Sequence, residues 1–123
     1  MAQDKLKAMW DQQFAFMRLL QQERDFPQFP VDLSEKKGQR FLKDITHECM
    51  GELFEANQHL KNSKKHRVTE VTEFEREKYI EELCDSLHYF FEICIASGIS
   101  LDELYTAYMT KGEINVERIK GGY

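Results

Sequence analysis

Glu48, Glu52 and Glu55 follow one another at steps of four and three, and Asp44 continues the line backwards. At about 100° per residue the three glutamates occupy roughly 60° of helical arc, so a helix here carries an acidic edge. Further on, Glu82 and Asp85 stand three apart with Tyr89 one turn beyond. Between the two acidic groups the chain turns basic, with Lys61, Lys64, Lys65 and Arg67 close together. Like charges at helical spacing cost only about 0.2–0.5 kcal/mol per pair, so a solvated acidic face is the plain reading. The sharper one is that the two acidic pairs face each other between helices, where four or five carboxylates need a cation among them. Oxygen-only ligands suit Mg²⁺, or Mn²⁺ in its place, rather than zinc. The neighbouring basic run favours this second reading, because a phosphate chain needs both a metal and cations against its oxygens.

Positioning such a site requires helices, and the hydrophobic periodicity supplies them. The spacing predicts a first helix from about Asp4 to Glu23, with Leu6, Met9, Trp10, Met17 and Leu20 on one stripe. Pro27 and Pro30 then interrupt the chain. A second helix is expected from Asp32 or Ser34, where Asp32 and Glu35 are spaced as a capping box, and its stripe is Leu42, Ile45, Cys49, Leu53, Ala56 and Leu60. Thr72 with Glu75 repeats the capping signature and opens a third helix to about Ser97, followed by Gly98. Ser100 with Glu103 opens a fourth, which Lys111 and Gly112 are expected to close, the remaining tail adding one turn. Short connections between long amphipathic helices predict an all-α bundle of four to five helices, one domain over residues 1–123. The third helix is apolar over most of its circumference (Ile80, Leu83, Cys84, Leu87, Phe91 and Cys94, flanked by Phe90 and Ile93), which implies burial on more than one side and hence a homodimer or a larger assembly.

The bulk numbers narrow the function. A net charge of −5 argues against broad nucleic-acid binding. No segment has the roughly 18 consecutive apolar residues that suit a bilayer, and three cysteines within apolar helical runs read as reduced core thiols, so a cytoplasmic protein is expected. Glycine-rich phosphate loops, zinc-type Cys/His spacing and Ser/His/Asp constellations are not visible.

The segments "ELFEA", "LKNSKK", "EELCDSLHYFF" and "YMTKGEINVERIKGGY", in that order, resemble the all-α nucleoside triphosphate pyrophosphatases, the superfamily of the dimeric dUTPases and the MazG-type enzymes. The hallmark of that superfamily is a Glu-x-x-Glu pair on one helix and a Glu-x-x-Asp pair on the next. The resemblance implies Mg²⁺-dependent hydrolysis of a nucleoside triphosphate to the monophosphate and pyrophosphate, dUTP being the first candidate and dCTP, dGTP or a modified nucleotide the alternatives. It implies that Glu52, Glu55, Glu82 and Asp85 hold the metal, with Glu48, Glu52 or Glu55 orienting the attacking water. By the same resemblance Lys61, Lys111 and Arg118 touch phosphate oxygens, with Lys64 beside them in the basic loop, and Asn115 meets sugar or phosphate. Gln13 matches a glutamine that reads the pyrimidine, and Tyr89, with Trp10, Phe14 and Phe16, is a candidate for stacking on the base. The chain departs from the pattern at Met17, where Asn or Asp is common, and at Ser63, where an aromatic is common. It departs also at Glu48, which stands four residues ahead of Glu52 rather than immediately upstream.

Two other classes compete. A di-iron carboxylate bundle asks for Glu-x-x-His twice, whereas this chain offers Asp44 with His47 and Asp85 with His88, and no partners on its outer helices. A non-catalytic helical oligomerisation module accounts for the apolar third helix but not for the basic residues that recur after the second helix and in the tail.

Overall fold

The computed structural model describes residues 2–71 and 73–122, so Thr72 and with it the expected capping box of the third helix lie outside the described residues. The protein is all-α, with four helices and no strand among the described residues: α1 (Lys5–Glu23), α2 (Lys36–Asn57), α3 (Arg76–Ala96) and α4 (Leu101–Lys120). The described residues fall into two compact units, one of residues 32–93 and one of residues 2–31 with 94–122, the division falling within the last turn of α3.

In the first of these units, α2 begins one turn later than the capping-box spacing predicts. Asp32 does not cap it. Its Oδ1 accepts instead from the Ser34 amide at 2.9 Å and the Ser34 hydroxyl at 2.6 Å, a local turn that uses up the acceptor before the helix starts. Glu35 becomes the cap residue, without a side-chain cap bond. Leu60, expected on the helical stripe, lies beyond the helix, which ends at Asn57. The facing surfaces of α2 and α3 are locked at one height by a reciprocal contact. Cys49 Sγ donates to the Ser86 carbonyl at 3.3 Å, and Ser86 Oγ donates to the Cys49 carbonyl at 3.2 Å.

In the other unit Asp4 caps α1 through its side chain, at 3.0 Å from the Lys7 amide, and the helix buries Trp10, Gln13 and Met17. Leu6 and Met9 of the expected stripe remain exposed. Phe14 meets Phe29 edge to face at 5.2 Å, and Arg18 lies over the Phe29 ring at 4.3 Å. Gly98 takes the left-handed conformation (φ 78°), and Ser100 caps α4 by accepting from Glu103 N at 3.1 Å, both as the spacing predicts.

The fourth helix corrects one expectation. It does not close at Lys111 and Gly112 but continues to Lys120, and among the described residues there is no separate fifth element. An interior glycine costs a helix about 1 kcal/mol, too little to stop one with capping at Ser100 and a good helical sequence on both sides.

All three cysteines are free, but of the expected core thiols only Cys94 is buried; Cys49 is half-buried and Cys84 exposed in the single chain. In α3, Phe91, Cys94, Ile95 and Ala96 are buried, whereas Ile80, Leu83, Leu87 and Phe90 keep 37–43% of their surface exposed in the single chain. Among the described residues no helix is long and apolar enough to cross a membrane.

Candidate metal centre

Unit 32–93 brings three of the four predicted metal-holding carboxylates together. Glu52 projects from α2, and Glu82 and Asp85 from successive turns of α3. One carboxylate oxygen from each lies within 4.8 Å of the other two. Steps of three and four set this up. Cys49 and Ser86 are clasped, so the residues three beyond Cys49 and one and four before Ser86 meet across the helix pair.

The cluster is electrostatically costly as it stands. Glu52 Oε2 is enclosed and has no hydrogen-bond partner. Desolvation pushes the Glu52 carboxyl up to about 7, and the adjoining carboxylates of Glu55, Glu82 and Asp85 push in the same direction. A buried oxygen without a donor, ringed by like charge, is the environment a hard cation relieves. The donor set is oxygen only, which fits Mg²⁺ or Mn²⁺ and not zinc.

Glu55 stands outside the tight trio but beside Glu52. Glu48 lies near Tyr89, whose phenol is raised by burial and then by the charges of Glu48, Glu52, Glu92 and Asp85. Tyr89 is thus set among the acids rather than in an apolar core. Lys61 lines a cavity of about 210 Å³ with His59, Asn62, Glu73 and Glu75. Lys64 lines a smaller one of about 130 Å³ with Asn62, Ser63, Arg67 and Thr69. Asn62 serves both from a left-handed backbone (φ 63°) and reaches the Glu70 carbonyl at 3.4 Å.

The other predicted positions belong to the second unit and are described within it. Gln13 is 2% exposed on α1, beside the equally buried Met17. Lys111, Asn115 and Arg118 are exposed on α4 at steps of four and three, one stripe of a continuous helix rather than a loop after it. Phe14, a candidate for stacking on a base, is engaged with Phe29 and Arg18 instead.

Sequence reasoning missed His59. Its Nε2 lies 3.8 Å from Glu82 Oε1, and both side chains are largely covered. The signal was available: Glu52, Glu55 and His59 continue the α2 edge at steps of three and four.

A family model described as dUTPase matches residues 30–123. No curated protein and no solved structure matches the chain.

Proposed function

The chain belongs to the dUTPase family, and from that premise we propose that it is a nucleoside triphosphate pyrophosphatase acting with Mg²⁺, with dUTP as the first candidate substrate. The observation that carries this reading is the trio of Glu52, Glu82 and Asp85 with its enclosed, unpartnered oxygen. Glu52, Glu82 and Asp85 would hold the ion, with Glu55 beside them. The metal, when bound, neutralises phosphate oxygens and so lowers the barrier to displacement at phosphorus.

The remaining work falls to side chains. Glu52, Glu55 or Glu48 orients the attacking water and takes its proton. Lys61 and Lys64 draw the phosphate chain to the loop after α2. Lys111, Arg118 and Asn115 contribute further phosphate and sugar contacts, Gln13 reads the pyrimidine, and Tyr89 flanks it. The exposed apolar residues of α3 favour a homodimer or homotetramer, and the setting is cytoplasmic.

The test is release of pyrophosphate from a panel of canonical and modified triphosphates, with and without Mg²⁺. Turnover that requires the metal and disappears in Glu52→Gln and Asp85→Asn, both still helical by circular dichroism, is the expected result. Near-normal turnover in both variants defeats the assignment.

A further inference from the structure

Glu82, Asp85, Tyr89 and Glu92 succeed one another at steps of three, four and three, one stripe of α3. Burial is greatest at its last member: Glu82 and Tyr89 are half-buried, whereas Glu92 is 4% exposed. Tyr89, half-buried, lies between the two ends on this stripe.

Glu92 has no part in the metal cluster, because seven residues of helix separate it from Asp85 by about 10 Å of rise. Its Oε2 is enclosed and has no hydrogen-bond partner. Desolvation alone pushes the carboxyl up to about 7, with no cation to offset it. Such a group weakens the fold that contains it, and any apolar side chain of similar size removes the penalty. A neutral carboxyl carries one donor and one acceptor side by side. The ring N–H and adjacent carbonyl of a pyrimidine such as uracil present the complementary pair.

We propose that Glu92 reads the base: its carboxyl pairs with the N3–H and neighbouring carbonyl of a pyrimidine whose phosphates lie at Glu52, Glu82 and Asp85. This rests on the pyrophosphatase reading above. The stripe then has a division of labour, with phosphates at its open end, Tyr89 beside the sugar and base, and Glu92 at the covered end. No covalent step is involved; the carboxyl only exchanges two hydrogen bonds with the base edge.

The experiment compares kcat/KM for dUTP and for its N3-methyl analogue, which lacks the ring N–H, in the wild type, Glu92→Met and Glu92→Gln. Melting temperature and Mn²⁺ binding by calorimetry are measured on each protein. The wild type is expected to favour dUTP by roughly 10- to 100-fold, the loss typical of an unmade hydrogen bond to a buried acid. In Glu92→Met that ratio collapses toward one, while the melting temperature holds or rises and Mn²⁺ binding is unchanged. Glu92→Gln, which keeps one donor and one acceptor, retains the ratio.

A ratio preserved in Glu92→Met overturns the inference and leaves the reaction standing. Loss of the fold in Glu92→Met overturns it too, by showing the carboxyl to be a structural partner. Equal damage in Glu92→Gln and Glu92→Met refutes the paired hydrogen bonds. A wild type that releases pyrophosphate from neither nucleotide removes the reading of the reaction, and this proposal with it.

Discussion

Cys49 and Ser86 hold each other across α2 and α3 through both a side chain and a carbonyl on each partner, at 3.2–3.3 Å. Ser86 is buried and adjoins Asp85, and Cys49 lies three residues ahead of Glu52. The clasp therefore sets the relative height of the acids of the candidate metal centre. Ser86→Ala removes the hydroxyl contact to Cys49 and is expected to cost about 1 kcal/mol. Because the helices can then slide, Mn²⁺ affinity should fall as well. Thermal melts and a metal titration on the same variant check both effects, and an unchanged affinity would mean that packing alone fixes the height.

Glu52 makes the centre sensitive to pH in a direction that can be worked out. Its carboxyl is raised from the ordinary 4.5 to about 7 in the folded chain, by desolvation first and then by Glu55, Glu82 and Asp85. Between those values the folded state holds a proton that the unfolded state has released. The contribution of Glu52 to stability without metal is therefore fully present below about 4.5 and declines as pH rises towards 7. Metal requires the ionised form, so binding strengthens over the same interval. The rise in melting temperature on adding Mg²⁺ should accordingly be small at pH 5 and larger at pH 8. Glu52→Gln should remove this metal response, while stabilising the metal-free protein at pH 8. Differential scanning calorimetry at the two pH values reads all three quantities.

His59 reaches Glu82 from the turn that follows α2, at 3.8 Å. A polar partner behind a metal-binding carboxylate fixes its orientation, and losing one typically weakens metal binding about 10- to 100-fold. His59→Ala should raise the Mg²⁺ concentration needed for half-maximal pyrophosphate release by a factor in that range. Turnover at saturating Mg²⁺ should change less. A drop in saturated turnover with an unaltered Mg²⁺ requirement would place His59 on the substrate instead.

The acidic pairs were legible because steps of three and four translate directly into one helix face, and four helices followed from the same arithmetic. Helix ends were less so. Asp32 and Glu35 have the spacing of a capping box, yet Ser34 offers Asp32 a closer partner, and local competition of that kind leaves no mark on the periodicity. Gly112 reads as a stop but lies inside α4, because a glycine ends a helix only where the chain turns left-handed, as Gly98 does. The burial of Glu92 was not legible, since periodicity assigns a residue to a face and leaves open what covers that face.

Gly38 carries the last prediction, and it follows from the turn that displaced the cap. With Asp32 folded onto Ser34, the Asp32 backbone lies across the first turn of α2, and Gln39 Nε2 secures it by donating to the Leu33 carbonyl at 2.8 Å. A Cβ on Gly38 would sit 2.1 Å from the Asp32 carbonyl oxygen and 2.9 Å from its carbon. Both are backbone atoms, so relief requires moving the chain rather than a flexible side chain. Helix propensity alone favours alanine over glycine by about 1 kcal/mol, which would stabilise α2 if there were room. The clash outweighs it: Gly38→Ala is expected to lower stability by about 1–3 kcal/mol, the range for overpacking a close contact. Urea unfolding measures the change. A midpoint that rises would show that the turn at Asp32 can open and that the Gly38 contact does not hold the start of α2.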